Sequence, residues 1–161
     1  MSVNLVKNQR ILWIVAGVAI AIILLVVKIN QPSGNNPLRG KVAVVYRSVT
    51  CGCCENYISY LRRAGVQVEE KITADMSVIK KQFGVPLNLN SCHTTIMDNY
   101  VVEGHVPVEA IQKLVNEKPN IVGIALPAMP AGSPGMPGAK VGTFDIASFT
   151  TAGVASPYLS L

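Results

Sequence analysis

The chain reads as an α/β sandwich around a small mixed sheet, preceded by one apolar N-terminal segment. Three observations predict that class. Short β-branched runs alternate with amphipathic stretches from residue 41 onward, glycine or proline punctuates the junctions, and the long uncharged run lies at the extreme N-terminus. A length of 161 residues allows one ordinary domain plus an appendage. A domain of that size buries a core without disulfide staples, which leaves the four cysteines free for chemistry.

Residues 11 to 27, "ILWIVAGVAIAIILLVV", are 17 consecutive uncharged positions, at the lower end of what spans a bilayer as a helix. Trp13 stands near one end, where an interfacial ring is favoured. A signal peptide has a shorter apolar region, about 7 to 15 residues, and a small-x-small cleavage site, which is missing here. A core helix fits poorly, because the run is apolar on every face and extremely N-terminal in a chain of this size. The expectation is a cytoplasmic tail over 1–10, a single-pass transmembrane anchor over 11–28 and a polar Pro/Gly/Asn linker over 29–40. Basic residues are nearly balanced across the span, Lys7 and Arg10 against Lys28, Arg39 and Lys41. A short basic tail is easily left in the cytoplasm, which places the rest of the chain on the extracytoplasmic, periplasmic side of the cell membrane.

The soluble domain is expected over 41–161. "KVAVVY" (41–46) has strand length and composition. "CENYISYLRRAG" reads as a helix from about Cys53 to Ala64, stopped by Gly65. "VQVEEKI" (66–72) alternates as a strand. "DMSVIKKQFG" (75–84) is a second helix, capped by Asp75 and ended by Gly84. "TTIM" (94–97) and "YVVEG" (100–104) form a hairpin across the Asp98-Asn99 turn. "PVEAIQKLVNEKP" (107–119) is a helix with Pro107 at its first position. "ALPAMPAGSPGMPGAK" is loop by composition, and "TFDIASF" (143–149) is a weak strand signal.

Charge excludes one class of partner. The net charge is +5, but from Arg39 onward eleven basic residues face nine acidic ones, a net of +2. No basic tract interleaved with aromatics is present, so nucleic acid is not an expected partner.

The chemistry concentrates in "SVTCGCCENY" (48–57), where Cys51, Cys53 and Cys54 fall within four positions. Cys51 and Cys54 form a C-x-x-C at a strand-to-helix junction. The positive end of the helix lowers thiol pKa there, which supports a thioredoxin-like reading. Cys53 disturbs a simple redox pair, because vicinal Cys53 and Cys54 cannot pair without strain. Crowded soft thiolates instead favour Cu(I), which accepts two or three sulfurs and tolerates bridging. In a thioredoxin-like order of elements, the loop entering the strand at 94 faces the cysteine loop. That order brings Cys92 to the other thiols, against the alternative of a small buried hydrophobe, while His93 reads equally well as a site neighbour or as a plain surface or core polar group. His105 reads equally well as a turn-bonded loop residue. Met129 and Met136 are soft donors in a segment with no helix face to fill. Glu55 is a first-turn acid favoured by the helix dipole.

Four ordered pieces, "VYRSVTCGCC", "GVP" followed by "SCHT", "YVVEGHVP" and "GIALPAMPAGSPGM", run across residues 44–136. On these the sequence resembles the CopG-type copper-resistance proteins, a thioredoxin-like group long treated as domains of unknown function. The resemblance implies an extracytoplasmic protein with copper as its ligand, as Cu(I) and with room for several ions. It implies Cys51, Cys53, Cys54 and Cys92 as primary ligands, and His93, His105, Met129 and Met136 as secondary candidates. The expected partners are copper ions, the membrane and other copper-handling proteins. Two rivals stand beside this expectation. One is a thiol-disulfide oxidoreductase using Cys51 as attacker and Cys54 as resolver. The other is a structural zinc site, for which three thiols within four residues are awkward around one tetrahedron.

Overall fold

The computed structural model describes residues 13, 15–25 and 36–161. Residues 15–25 are helical and exposed. Among the described residues no helix is long and apolar enough to cross a membrane. The rest of the anchor expected over 11–28, with the tail 1–10 and linker positions 29–35, lies outside the described residues.

Residues Asn36–Leu161 form one compact unit. Its elements are β1 (Val42–Arg47), α1 (Gly52–Arg63), β2 (Gln67–Ile72), α2 (Met76–Gln82), β3 (His93–Met97), β4 (Tyr100–Glu103), α3 (Val108–Glu117), β5 (Gly123–Ala125), β6 (Asp145–Phe149) and β7 (Ala155–Ser160). The strands form a seven-stranded mixed sheet in the order β2-β1-β3-β4-β5-β6-β7. The β1/β2 and β4/β5 pairs are parallel and the others antiparallel.

Apolar periodicity sets the layers. In α1 the buried residues Cys54, Tyr57, Ile58 and Leu61 repeat at helical spacing, and in α3 Ala110, Ile111, Leu114 and Val115 do the same. Both stripes pack with Ala43, Val45, Met97, Val102 and Ile124 of the sheet in one core cluster, which also takes in Leu38. Each fully buried Leu or Ile there contributes about 1.5–3 kcal/mol. Val85, Leu89, Val101, Ala125 and Phe149 form a second, smaller cluster with Phe83 packed against it. Alternation along the strands assigns the two clusters to opposite faces of the sheet.

The local signals act as their chemistry dictates. The Asp75 carboxylate caps α2 by accepting from Ser77 N at 2.8 Å. The β3/β4 turn holds Asp98 at φ +49° and Asn99 at φ +68°, the left-handed pair that a two-residue hairpin needs. Three details differ from expectation. Pro107 caps α3 in an extended conformation instead of opening it, so the helix starts at Val108. β5 is three fully buried residues, too short to show alternation. β7 is an edge strand whose Pro157 weakens the strand signal.

Candidate metal centre

Sheet register brings three chain segments to one end of the domain. β1 runs out through Arg47 into the cysteine loop, and Arg47 pairs with His93, where β3 begins. Thr94 pairs in turn with Glu103, where β4 ends and the chain turns through Gly104 to His105. The loop after β1, the approach to β3 and the exit of β4 are therefore neighbours.

Cys51 is the N-cap of α1 and makes no side-chain capping bond. Cys51 and Cys54 are joined by a disulfide with their Cα atoms 5.4 Å apart, and Cys53 and Cys92 are free. The Cys53 sulfur lies 3.5 Å from that of Cys51 and 3.8 Å from that of Cys92, and the Cys54 and Cys92 sulfurs are 3.4 Å apart. All four sulfurs fall within 4.8 Å of one another, although Cys92 is remote in sequence. A second group shares Cys92, whose sulfur is 3.4 Å from His93 Nδ1 and 3.3 Å from His105 Nε2.

The surroundings orient these donors. His105 Nδ1 donates to Pro134 O at 2.6 Å, which leaves Nε2 as the nitrogen facing Cys92. Tyr57 is buried with its ring 4.6 Å from His93 and 5.2 Å from His105, and its hydroxyl donates to Val106 O at 2.8 Å. Gly135 has φ +84°, and a Cβ there would come within 2.7 Å of Tyr57 N. The segment 133–136 thus lies directly on the first turns of α1. Met136 shares a surface hollow with Cys53, Asn56 and Arg63, whereas Met129 does not line it.

Burial sets the electrostatics. It holds His93 well below the ordinary histidine range, helped by His105 and Lys80, and it lowers His105 as well. Both rings are neutral at neutral pH, the state in which an imidazole can bind a metal. Burial first, then Cys53, pushes the Cys92 thiol up to about 12. A bound cation reverses that balance, because a coordinating thiol gives up its proton.

Three charged residues outside the expected set hold the site. Arg47, with its side chain only 6% exposed, pairs with Glu55 and Glu70 and donates to Ser48 O at 2.9 Å, which fixes the cysteine loop. Glu55 is therefore a partner for Arg47 as well as a first-turn acid. Glu103 is fully buried and accepts from Ser91 N at 2.7 Å, Ser91 Oγ at 2.6 Å and Thr94 Oγ1 at 2.7 Å. It also pairs with Lys80, whose Nζ donates to Thr94 Oγ1 at 3.2 Å. Ser91 immediately precedes Cys92, so this network fixes the backbone that carries the fourth thiol. A charge inside an apolar strand, as in "YVVEG", is the one sequence signal that marks Glu103.

The chemistry of the donor set suits soft metal ions. With the Cys51–Cys54 pair reduced, four clustered thiols adjoin two imidazoles, a donor set that fits copper.

Comparison with known proteins identifies the family. A family model described as "Protein of unknown function, DUF411" matches residues 89–136, which include Cys92, His93, His105, Met129 and Met136. A search of curated proteins finds no match. A solved structure of copper resistance protein copG, Form 1, is 40% identical and superposes with a TM-score of 0.69. The match covers 74% of this chain and 96% of that one. Form 2 gives 40% identity and a TM-score of 0.70, covering 75% and 98%. At that identity and coverage, the chain belongs to the CopG-type copper-resistance family.

Proposed function

We propose that the protein captures Cu(I) outside the cytoplasm and contributes to copper tolerance or copper redox handling. In this reading residues 11–28 anchor it to the cell membrane, with the soluble domain on the periplasmic side. Cys51, Cys53, Cys54 and Cys92 are the primary ligands. His93 and His105 are secondary donors at Cys92, Met136 lines a hollow with Cys53, and Met129 is a further candidate. The observation that carries the proposal is the convergence of four sulfurs from two distant segments within 4.8 Å. A thioredoxin-like ancestry for the scaffold is supported by the parallel β1-α1-β2 unit, the β3-β4 hairpin followed by α3, and the β2-β1-β3-β4 order. Partners are then copper ions, the membrane and other copper-handling proteins.

The test is copper stoichiometry of the reduced chain with each cysteine changed to serine. Loss of bound copper in Cys53→Ser and Cys92→Ser supports the proposal. A second reading, thiol-disulfide exchange by Cys51 and Cys54, is favoured by their disulfide at a helix N-terminus. It predicts that Cys53→Ser and Cys92→Ser keep full insulin-reducing activity.

A further inference from the structure

Cys92 stands between two donor groups, with the sulfurs of Cys51, Cys53 and Cys54 in one and the nitrogens of His93 and His105 in the other. The Cys51–Cys54 disulfide removes two thiolates from the first group and leaves the second intact. We infer that the disulfide-bonded chain keeps a one-copper site made of Cys92 Sγ, His93 Nδ1 and His105 Nε2, so that the disulfide form holds a single ion where the dithiol form holds more. The inference rests on the copper reading above.

The three donor atoms lie within 4.8 Å of one another, with sulfur-to-nitrogen distances of 3.4 and 3.3 Å. Metal bonds of about 2.0 Å to nitrogen and about 2.3 Å to sulfur separate neighbouring ligand atoms by about 3.5–3.8 Å. Only a small outward shift is needed to admit an ion. His105 is oriented as metal-binding imidazoles usually are, with its other nitrogen donating to a backbone carbonyl, here Pro134 O at 2.6 Å. His93 is fully buried beside the Tyr57 and His105 rings, and its Nδ1 is the nitrogen that faces the Cys92 sulfur. One thiolate with two imidazoles is a set that holds a single copper in either oxidation state. The rival arrangement is a dithiolate of Cys53 and Cys92, whose sulfurs are 3.8 Å apart.

The experiment uses the full chain with its disulfide intact, verified by thiol counting, and titrates it anaerobically with Cu(I) against a chelator beside the reduced chain. The expected result is one copper per oxidised chain and more per reduced chain. X-ray absorption on the oxidised wild type should show one sulfur and two nitrogen neighbours, a readout that requires no variant. His105→Gln should weaken oxidised-state binding by at least about tenfold. The inference is overturned if the oxidised chain binds no copper while the reduced chain does. It is equally overturned if X-ray absorption places two sulfurs around the ion in the oxidised chain. Copper binding by neither form overturns the copper reading along with it.

Discussion

Replacing Glu103 by glutamine should unsettle the fourth thiol from below. The Glu103 carboxylate is fully buried and takes bonds from both polar groups of Ser91, from Thr94 and from Lys80, whose side chain is 8% exposed. Glutamine keeps one acceptor oxygen, turns an NH₂ toward one of these donors and leaves the Lys80 charge without a counterion. Breaking one partner of a buried pair costs about 3–5 kcal/mol. In urea, with a slope of about 1–3 kcal/mol per molar, the unfolding midpoint should fall by about 1–5 M. Adding Lys80→Met removes the stranded charge, so the double variant should be more stable than Glu103→Gln alone. Loosening Ser91 should also speed alkylation of Cys92 under native conditions. A cost below about 1 kcal/mol, or a double variant no more stable than the single one, would refute the reasoning.

Other consequences follow from the same geometry. Gly135→Ala places a methyl 2.7 Å from Tyr57 N at a φ of +84°, and strain of about 1–3 kcal/mol should lift segment 133–136. His105 then loses its Pro134 partner, which a changed His105 Nδ1 proton resonance in NMR would register. In the metal-free oxidised chain, Cys92 alkylation should rise about tenfold per pH unit from pH 7 to 10, because its thiol is pushed up to about 12 and only the thiolate reacts. A plateau below pH 10 contradicts that. Because coordination expels the Cys92 proton, apparent copper affinity should rise with pH over the same window. Affinity independent of pH would show that Cys92 takes no part.

Much of the fold is readable from local chemistry. The Asp75 cap, the Asp98-Asn99 turn and the helical stripe Tyr57, Ile58, Leu61 all belong to short segments whose preferences agree with their tertiary surroundings. β5 and β7 are not readable, since Gly123–Ala125 is buried on every side and the edge strand carries Pro157. At the site, the crowding of Cys51, Cys53 and Cys54 is plain in the sequence. The approach of Cys92 becomes visible only through the order of the strands. The Lys80–Glu103 and Arg47–Glu70 pairings escape sequence reading, because each joins residues 23 positions apart on different elements, although the charge within "YVVEG" hints at Glu103. A buried ion pair across elements leaves no periodic trace.

Whether the four thiols form a copper centre is decided by competitive loading of the reduced full chain with Cu(I) and Zn(II), followed by metal analysis and thiol alkylation. Copper should be retained over zinc, and Cys51, Cys53, Cys54 and Cys92 should all be protected. A chain that ignores copper, leaves the thiols reactive and exchanges disulfides briskly would contradict a copper centre.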